Sequence, residues 1–514
     1  MIRLFKEDKR AAFILWCSLL WGFAAHGMAM LNKYSYHDDV PHFNWVGETY
    51  GLGRWALGAA GSLSEKIFMS RNYSLPLING LLTIGAIGVM VYIICLKTEI
   101  NDRVLIAALT GVMVCFPAVT NIFGYVFTAP HYYIASMLGI IGAYVFYKKG
   151  TIASMAVCIV LMAVSTGVYQ SNIPINLMIL LIFMVYEVVI RDMTNKEYMI
   201  LVLKNALICA LFMAVYFGVN AIFLAVTGQD MYDYKGVSTF GATSPAGYIY
   251  RVFTAYKRFI RPADYINYNG VSANMFPWNL KYLHMVLVLM VLALILFFVF
   301  SLKNTRKMVQ ILIPVAVSPL FSYFFYVMVA EEDAHGGMAY CEVFMFALAA
   351  FFICRVLSAK EERRYVTVLA KACVVIMLIM AAMFARFANV CYLKAEIMQA
   401  EAINYYNRLI ARIEETAGYT KDTPILYVGP RSKNDDAFSG NARFDPIYLP
   451  PYQGNSIIND FSWEETMNMW CSFSRVEATE DLSDTEEVRQ MPLYPAAGSV
   501  RMVNSTLVVK FADE

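Results

Sequence analysis

The chain has 514 residues, 59% of them apolar, 15% aromatic and only 16% charged, with a mean hydropathy of +0.52 and a formal net charge of +2. That balance excludes a large soluble enzyme and leaves no basic excess to attract nucleic acid. It describes a chain that crosses a bilayer many times.

The first apolar segment, Ala11 to Leu31, follows Arg3, Lys6, Lys9 and Arg10 and is too long for a cleaved signal sequence, so it reads as a retained anchor. A hydropathy window then places further spans near 75–96, 104–121, 132–147, 151–168, 174–190, 203–226, 282–302, 308–330, 342–357 and 366–388, about eleven in all. Lys97/Arg103, Lys148/Lys149, Arg191/Lys196, Lys303/Arg306/Lys307 and Lys360/Arg363/Arg364 lie on the side of the basic N-terminus. The short connections on the other side, near 122–131, 169–173 and 331–341, contain no Lys or Arg. The positive-inside rule makes the basic side cytoplasmic and predicts an N-in, C-out topology. The cysteines of these segments (Cys17, Cys95, Cys115, Cys158, Cys209, Cys354 and Cys373) read as small packing residues; with Cys341 and Cys391 near span ends and Cys471 in a polar region, no disulfide is expected.

Two outer connections are long, 32–74 and 228–281. In the first, Asp38 and Asp39 stand just past a lipid boundary, where an acidic pair costs little; inside hydrocarbon the same charges would cost several kcal/mol, roughly. Its second half, with Leu52, Trp55, Ala56, Ala59, Ala60 and Leu63 at helical spacing, predicts a short interfacial helix carrying Arg54 at headgroup height. In the second loop, Tyr248 to Arg261 predicts another, with Arg251, Arg258 and Arg261 on one face and an apolar face opposite. Such a face suits phosphate, specifically or as a general attraction for anionic headgroups. All six histidines, His26, His37, His42, His131, His284 and His335, fall at or beyond outer span ends, as do Glu331, Glu332 and Asp333. His37, His42, His131 and His335 are therefore candidate substrate contacts, although histidine is also an ordinary interfacial residue.

Beyond Arg386, an amphipathic helix from Lys394 to near Gly418 is predicted to lead into a small α/β unit. Pro424 to Gly429 reads as a buried strand, Trp463 to Trp470 as a helix, and 499–503 with 506–511 as a hairpin across Asn504-Ser505. The expected organisation is a membrane domain over 1–390 and an extracytoplasmic α/β domain over 391–514, for which capping or acceptor docking is the default role.

The N-terminal span, the outer-loop Asp38-Asp39, Trp45 shortly after, and Gly53-Arg54 followed by an amphipathic stretch resemble the bacterial and phage serotype-converting glucosyltransferases of the GT-C superfamily. Gly167-Val-Tyr-Gln-Ser-Asn, with Tyr169 and Gln170, resembles a recurrent segment of that family. One departure is Pro41-His42, where many members carry an arginine. The resemblance implies a GT-C-like fold and a plasma-membrane enzyme that moves a hexose, glucose by analogy, from a polyprenyl-phosphate carrier to a surface glycan or its lipid-linked precursor at the outer face. It also implies that Trp45, Tyr169 and Gln170 contact substrate.

Such a transfer needs a base for the acceptor hydroxyl and a cation for the departing phosphate. Asp38 or Asp39 fits the first role; Arg54 and the Arg251/Arg258/Arg261 face fit the second. On an extended segment adjacent side chains point to opposite faces, so one aspartate is expected to catalyse and the other to orient. No cofactor is expected; a divalent metal held by His37, Asp38, Asp39 and His42 is the weaker alternative, because the spacing lacks the i,i+4 geometry of a recognised zinc site. A flippase, or a polymerase of lipid-linked glycans, is the rival reading. Coupled transporters place ionisable residues inside their spans, whereas Lys204, Glu187, Glu342 and Arg386 all lie near predicted ends.

Overall fold

The computed structural model describes residues 8–36, 38–47, 49–232, 241–262, 267–268, 271–272, 278–329, 336–359, 364–431 and 460–513. The chain folds as two compact units, Met1–Asn32 with Asn44–Asn389, and Lys33–Phe43 with Val390–Glu514.

Hydrocarbon offers no hydrogen-bond partner to the backbone, so a lipid-embedded chain closes its own bonds as helix. In the first unit these are α1 (Lys9–Leu31), α2 (Trp55–Phe68), α3 (Pro76–Thr98), α4 (Arg103–Cys115), α5 (Pro117–Ile122), α6 (Ala129–Lys149), α7 (Ile152–Val168), α8 (Asn172–Ile190), α9 (Asn195–Thr227), α10 (Pro245–Ile260), α11 (Trp278–Ser301), α12 (Thr305–Ser322), α13 (Phe324–Met328) and α14 (Phe344–Ser358). A two-residue antiparallel pair, β1 (Asn267–Tyr268) and β2 (Val271–Ser272), lies between α10 and α11. Among the described residues, eight stretches are long and apolar enough to cross a membrane: Lys9–Leu31, Pro76–Thr98, Arg103–Tyr125, Asn172–Ile190, Asn195–Thr227, Leu280–Ser301, Gly336–Ser358 and Arg364–Glu414. The protein is a polytopic helical membrane protein.

Helix ends follow local chemistry. The Asp8 carboxylate accepts from the Arg10 amide at 2.9 Å and caps α1. Thr151 with Ser154, and Thr194 with Glu197, form capping boxes that start α7 and α9. Two predicted spans are interrupted. The segment near 104–121 breaks at Phe116, because Pro117 cannot donate to α4 and instead opens α5; the segment near 308–330 divides at Tyr323, after Pro314 and Pro319 in α12. The first interfacial helix starts at Trp55, not Leu52; Trp55, Ala56, Leu57 and Gly61 form its inner face, while Ala59 and Leu63 are exposed.

Packing in this unit uses glycines as contact points. A β-carbon on Gly22 of α1 would lie 2.5 Å from the Ile84 side chain of α3, and one on Gly139 of α6 would lie 2.1 Å from the Asn176 amide oxygen of α8. Small residues allow helices to approach closely where lipid supplies no hydrophobic drive between them. Polar side chains pair across the bundle at two places: Asn172 accepts from Ser136 at 2.7 Å, and Tyr323 donates to Glu342 at 3.1 Å.

The helix α15 (Arg364–Glu414) runs unbroken for 51 residues, the span near 366–388 and the predicted helix from Lys394 being one element. From Val390 onward it belongs to the second unit. There a four-stranded sheet has the order β4-β3-β6-β5, built from β3 (Pro424–Val428), β4 (Val476–Glu477), β5 (Val500–Val503) and β6 (Thr506–Lys510). Strand β3 is parallel to both neighbours, and β5 and β6 form a hairpin through Asn504, whose φ of 49° suits a turn asparagine. Val428, Leu482, Val488, Met491, Val503 and Val508 make one core cluster. The Trp463 ring, which opens α16 (Trp463–Cys471), packs edge-on against Tyr405 and Tyr406 of α15 and Phe511. A short α17 (Glu486–Arg489) completes the unit.

The close α1–α3 approach gives a paired test. Gly22→Leu is expected to lower the unfolding midpoint of the detergent-solubilised protein by about 1–4 °C through overpacking. Gly85→Leu, at a position with nothing within 4 Å of a β-carbon, leaves it unchanged.

Candidate functional site

The first group of candidate residues lies in the membrane unit, around a tight turn before α2. The Gly53 amide donates to the Tyr50 carbonyl at 2.8 Å and the Arg54 amide to the Thr49 carbonyl at 2.7 Å. Gly53 has a φ of +70°, and a β-carbon there would lie 2.6 Å from the Tyr216 hydroxyl oxygen. That hydroxyl donates to the Gly53 carbonyl at 3.1 Å, while the Gln170 amide donates to the Leu52 carbonyl and, at 3.2 Å, to Tyr216. The turn is therefore fixed from α9 and from the end of α7.

Arg54 emerges from this turn at the N-terminus of α2. One guanidinium N–H donates to the Tyr132 hydroxyl at 3.3 Å, and the guanidinium carbon stands 5.2 Å from the centre of the Tyr169 ring. Tyr132 and Tyr169 stack with centroids 4.1 Å apart. Trp55 fills the space beside Gly167, where a β-carbon would lie 2.5 Å from the indole, and stacks on Phe223 at 6.1 Å. The Arg54 guanidinium is thus half-buried and held by two tyrosines at a helix N-terminus. The sequence named Arg54, Tyr169 and Gln170, which the fold brings together, and missed Tyr132 and Tyr216. For Tyr216 a signal existed: Ile208, Phe212, Tyr216 and Asn220 recur every four residues and are the buried stripe of α9.

The acidic pair lies in the second unit and is not extended. The Asp39 amide donates to the Tyr36 carbonyl at 2.9 Å and the His42 amide to the Asp38 carbonyl at 3.3 Å, so residues 38–44 are turns. The expected opposite-face alternation gives way to a difference in burial: Asp39 is fully buried and ion-paired with Lys33, whereas Asp38 and His42 are half-buried. Burial pushes the Lys33 ammonium down to about 7, and the Asp39 carboxylate against it acts in the opposite direction. Gln399 of α15 clamps the segment, accepting from the Ser35 amide at 2.7 Å and donating to the Lys33 carbonyl at 2.9 Å. Tyr34 stacks on Tyr392 at 6.4 Å.

The predicted arginine face of α10 is divided. Arg251 donates to the Tyr326 and Val329 carbonyls and so caps α13, and both Arg251 and Arg258 lie over the Tyr326 ring, at 5.2 and 4.1 Å. Arg261 turns away to Tyr282, at 5.9 Å. The reason is the set of open carbonyls at the end of α13, which an arginine satisfies better than a lipid headgroup. Ile249 and Phe253 of α10 are exposed, while Tyr256, Phe259 and Ile260 line an apolar cavity of about 350 Å³ with side chains from α11, α12 and α14.

Trp45 is 53% exposed and donates to the Gly47 carbonyl at 2.8 Å. His131 sits half-buried in the first turn of α6. His26 contacts the Val114 carbonyl at 3.0 Å and stacks on Phe123, and His284 contacts the Phe259 carbonyl at 3.1 Å. His37, His335 and the acidic run 331–333 lie outside the described residues.

The described residues thus make a polytopic helical bundle that holds Arg54 against Tyr132 and Tyr169 and, separately, encloses an apolar cavity among α10, α11, α12 and α14. The sequence model of the family described as glucosyl transferase GtrII matches residues 27–346, and the chain belongs to that family. The match takes in Asp38, Asp39, Arg54, Tyr169 and α10, and ends before the second unit resumes at Val390. No curated protein matches the chain. Family membership makes this a membrane glycosyltransferase of the glucosyltransferase class.

Two expectations follow from the geometry. Lys33→Met removes the ammonium that pairs with the buried Asp39 carboxylate and should cost about 1–3 kcal/mol of stability in thermal or denaturant unfolding, with Asp39→Asn in the same chain restoring part of it. Gly53→Ala should cost about 1–2 kcal/mol by forcing a side chain into the left-handed region, and should lower transferase activity more than Tyr216→Phe does.

Proposed function

We propose that the protein transfers glucose from a polyprenyl-phosphate-linked donor to a surface glycan, or to its lipid-linked precursor, at the outer face of a bacterial plasma membrane. In this reading the chain crosses about eleven times, N-in and C-out, and the acidic turn and the arginine turn face outward. Asp38 takes the proton of the acceptor hydroxyl. The oxygen attacks the anomeric carbon, the bond from that carbon to the phosphate oxygen breaks, and polyprenyl phosphate departs with inversion at the sugar. Arg54, held by Tyr132 and Tyr169, neutralises the charge that grows on the phosphate. Asp39 positions the turn through Lys33. The prenyl chain lies along the apolar cavity below α10, with Arg258 and Arg261 near its headgroup. No divalent metal is invoked, and turnover is expected to survive chelation.

The observation that carries this reading is the tyrosine cage of Arg54. It fixes a guanidinium in one orientation, which is the preorganisation that electrostatic stabilisation of a leaving phosphate requires. The burial difference between the aspartates supports Asp38 as the base, since a half-buried carboxylate can be reached by an acceptor hydroxyl and a fully buried one cannot.

The test is incubation of the purified protein with polyprenyl-phosphate sugars and a glycan acceptor, with release of polyprenyl phosphate as the readout. Asp38→Asn should reduce turnover by about 10²–10⁴-fold without loss of protein, and Arg54→Lys should fail to restore the loss seen in Arg54→Ala. Normal turnover in Asp38→Asn removes the mechanism. Loss of whole-glycan export, with sugar transfer intact, would point instead to a flippase.

A further inference from the structure

The second unit contains a separate cavity of about 160 Å³, beside the end of β3 and the outer side of α16. Its floor is Tyr427, whose hydroxyl is buried and meets no hydrogen-bond partner among the described residues. Burial pushes this phenol up, so it stays a neutral donor and acceptor. Arg475 covers one face of the Tyr427 ring at 4.6 Å and donates to the Ile425 carbonyl at 2.9 Å. Asn468 donates to the Ser474 hydroxyl at 2.6 Å across the mouth, and Phe473 supplies an apolar wall.

The charges select against anions. Glu464 is shared by Arg431 at 2.7 Å and Arg475 at 2.8 Å; burial pulls its carboxyl up, but the two guanidinium groups hold it below the usual range. Both cations are thereby engaged, while Glu465 at the edge and Glu477, 3.2 Å from Arg475, add negative charge. What remains is a small opening that offers a buried hydroxyl, an amide, a serine hydroxyl and carboxylate oxygens around an aromatic wall. That is the chemistry of a polyol ring. The volume, below the roughly 300 Å³ at which drug-sized ligands are usually held, admits one ring and not an oligosaccharide.

We propose that this cavity is a carbohydrate subsite that takes one neutral pyranose unit of the acceptor glycan. The assignment of that sugar to the acceptor rests on the transferase reading above; the binding site itself does not. Tyr427 meets a sugar hydroxyl, Glu464 and Asn468 supply an acceptor and a donor, and Phe473 packs against the ring. The subsite would hold an acceptor chain on the unit that also carries Asp38.

Saturation-transfer difference NMR on the full chain in nanodiscs tests this, with methyl glucoside, methyl galactoside and methyl N-acetylglucosaminide as probes and glucose 6-phosphate as the anionic comparison. At least one neutral pyranoside should receive saturation and the phosphate should not. Tyr427→Phe and Asn468→Ala should each weaken binding by about fivefold or more, the loss of one hydrogen bond, while the unfolding midpoint of Tyr427→Phe stays the same or rises. Arg54→Ala should keep the signal, which separates this subsite from the donor site. Absence of any neutral pyranoside signal overturns the proposal, as does wild-type binding in Tyr427→Phe or loss of the signal in Arg54→Ala. If the sugar binds but no donor is turned over, the subsite stands and the transferase reading falls.

Discussion

A polar group taken out of water has to bring its partner with it, and this constraint decides where charge sits in the protein. Lys97 pairs with Glu187 where α3 and α8 end, Glu99 with Arg355, and Asp192 with Arg306. Each pair joins helix ends or the connections beside them. Inside the bundle neutral pairs also occur, as with Ser136 on Asn172 and Tyr147 on Asn205, and the buried Glu342 carboxyl accepts from Tyr323. Arg54 and the two aspartates likewise stand in connections between helices.

The helices were legible because hydropathy is additive along a window, and eight stretches among the described residues are helices long and apolar enough to cross a membrane. What the window could not see was backbone continuity. Pro117 interrupts an apolar run that scores as a single span, since proline removes a donor without changing hydropathy. The converse happens in α15, where Arg386 and Lys394 mark a change of composition but no residue from Arg364 to Glu414 is glycine or proline, and the helix continues. Lys394 is itself buried, so its charge was no sign of a solvated boundary.

The candidate residues were legible as types and less so as partners. Arg54, Tyr169 and Gln170 converge because α7 ends beside the turn that Gly53 makes possible, yet the stacking of Tyr132 on Tyr169 depends on how α6 lies along α7. The acidic segment was misread as extended because its restraint is remote: Gln399 lies over three hundred residues away in sequence and holds both Ser35 and Lys33. Likewise the arginines of α10 do fall at helical spacing, but the open carbonyls of α13, which no local pattern reveals, take Arg251 out of the lipid-facing set.

The two adjacent aspartates show why residue type alone does not assign a role. A carboxylate fully enclosed with a lysine gains from the charge beside it and loses from leaving water; the two effects oppose each other, and what survives is a fixed geometry more than a net stabilisation. In the proposed reaction Asp39 serves the shape of the turn. Asp38, one residue earlier, is half-buried, and its backbone carbonyl accepts from the His42 amide in the same turn. In the proposed reaction this division has a consequence for rate: the base keeps access to a hydroxyl while its neighbour removes the conformational freedom that would otherwise have to be lost at each turnover.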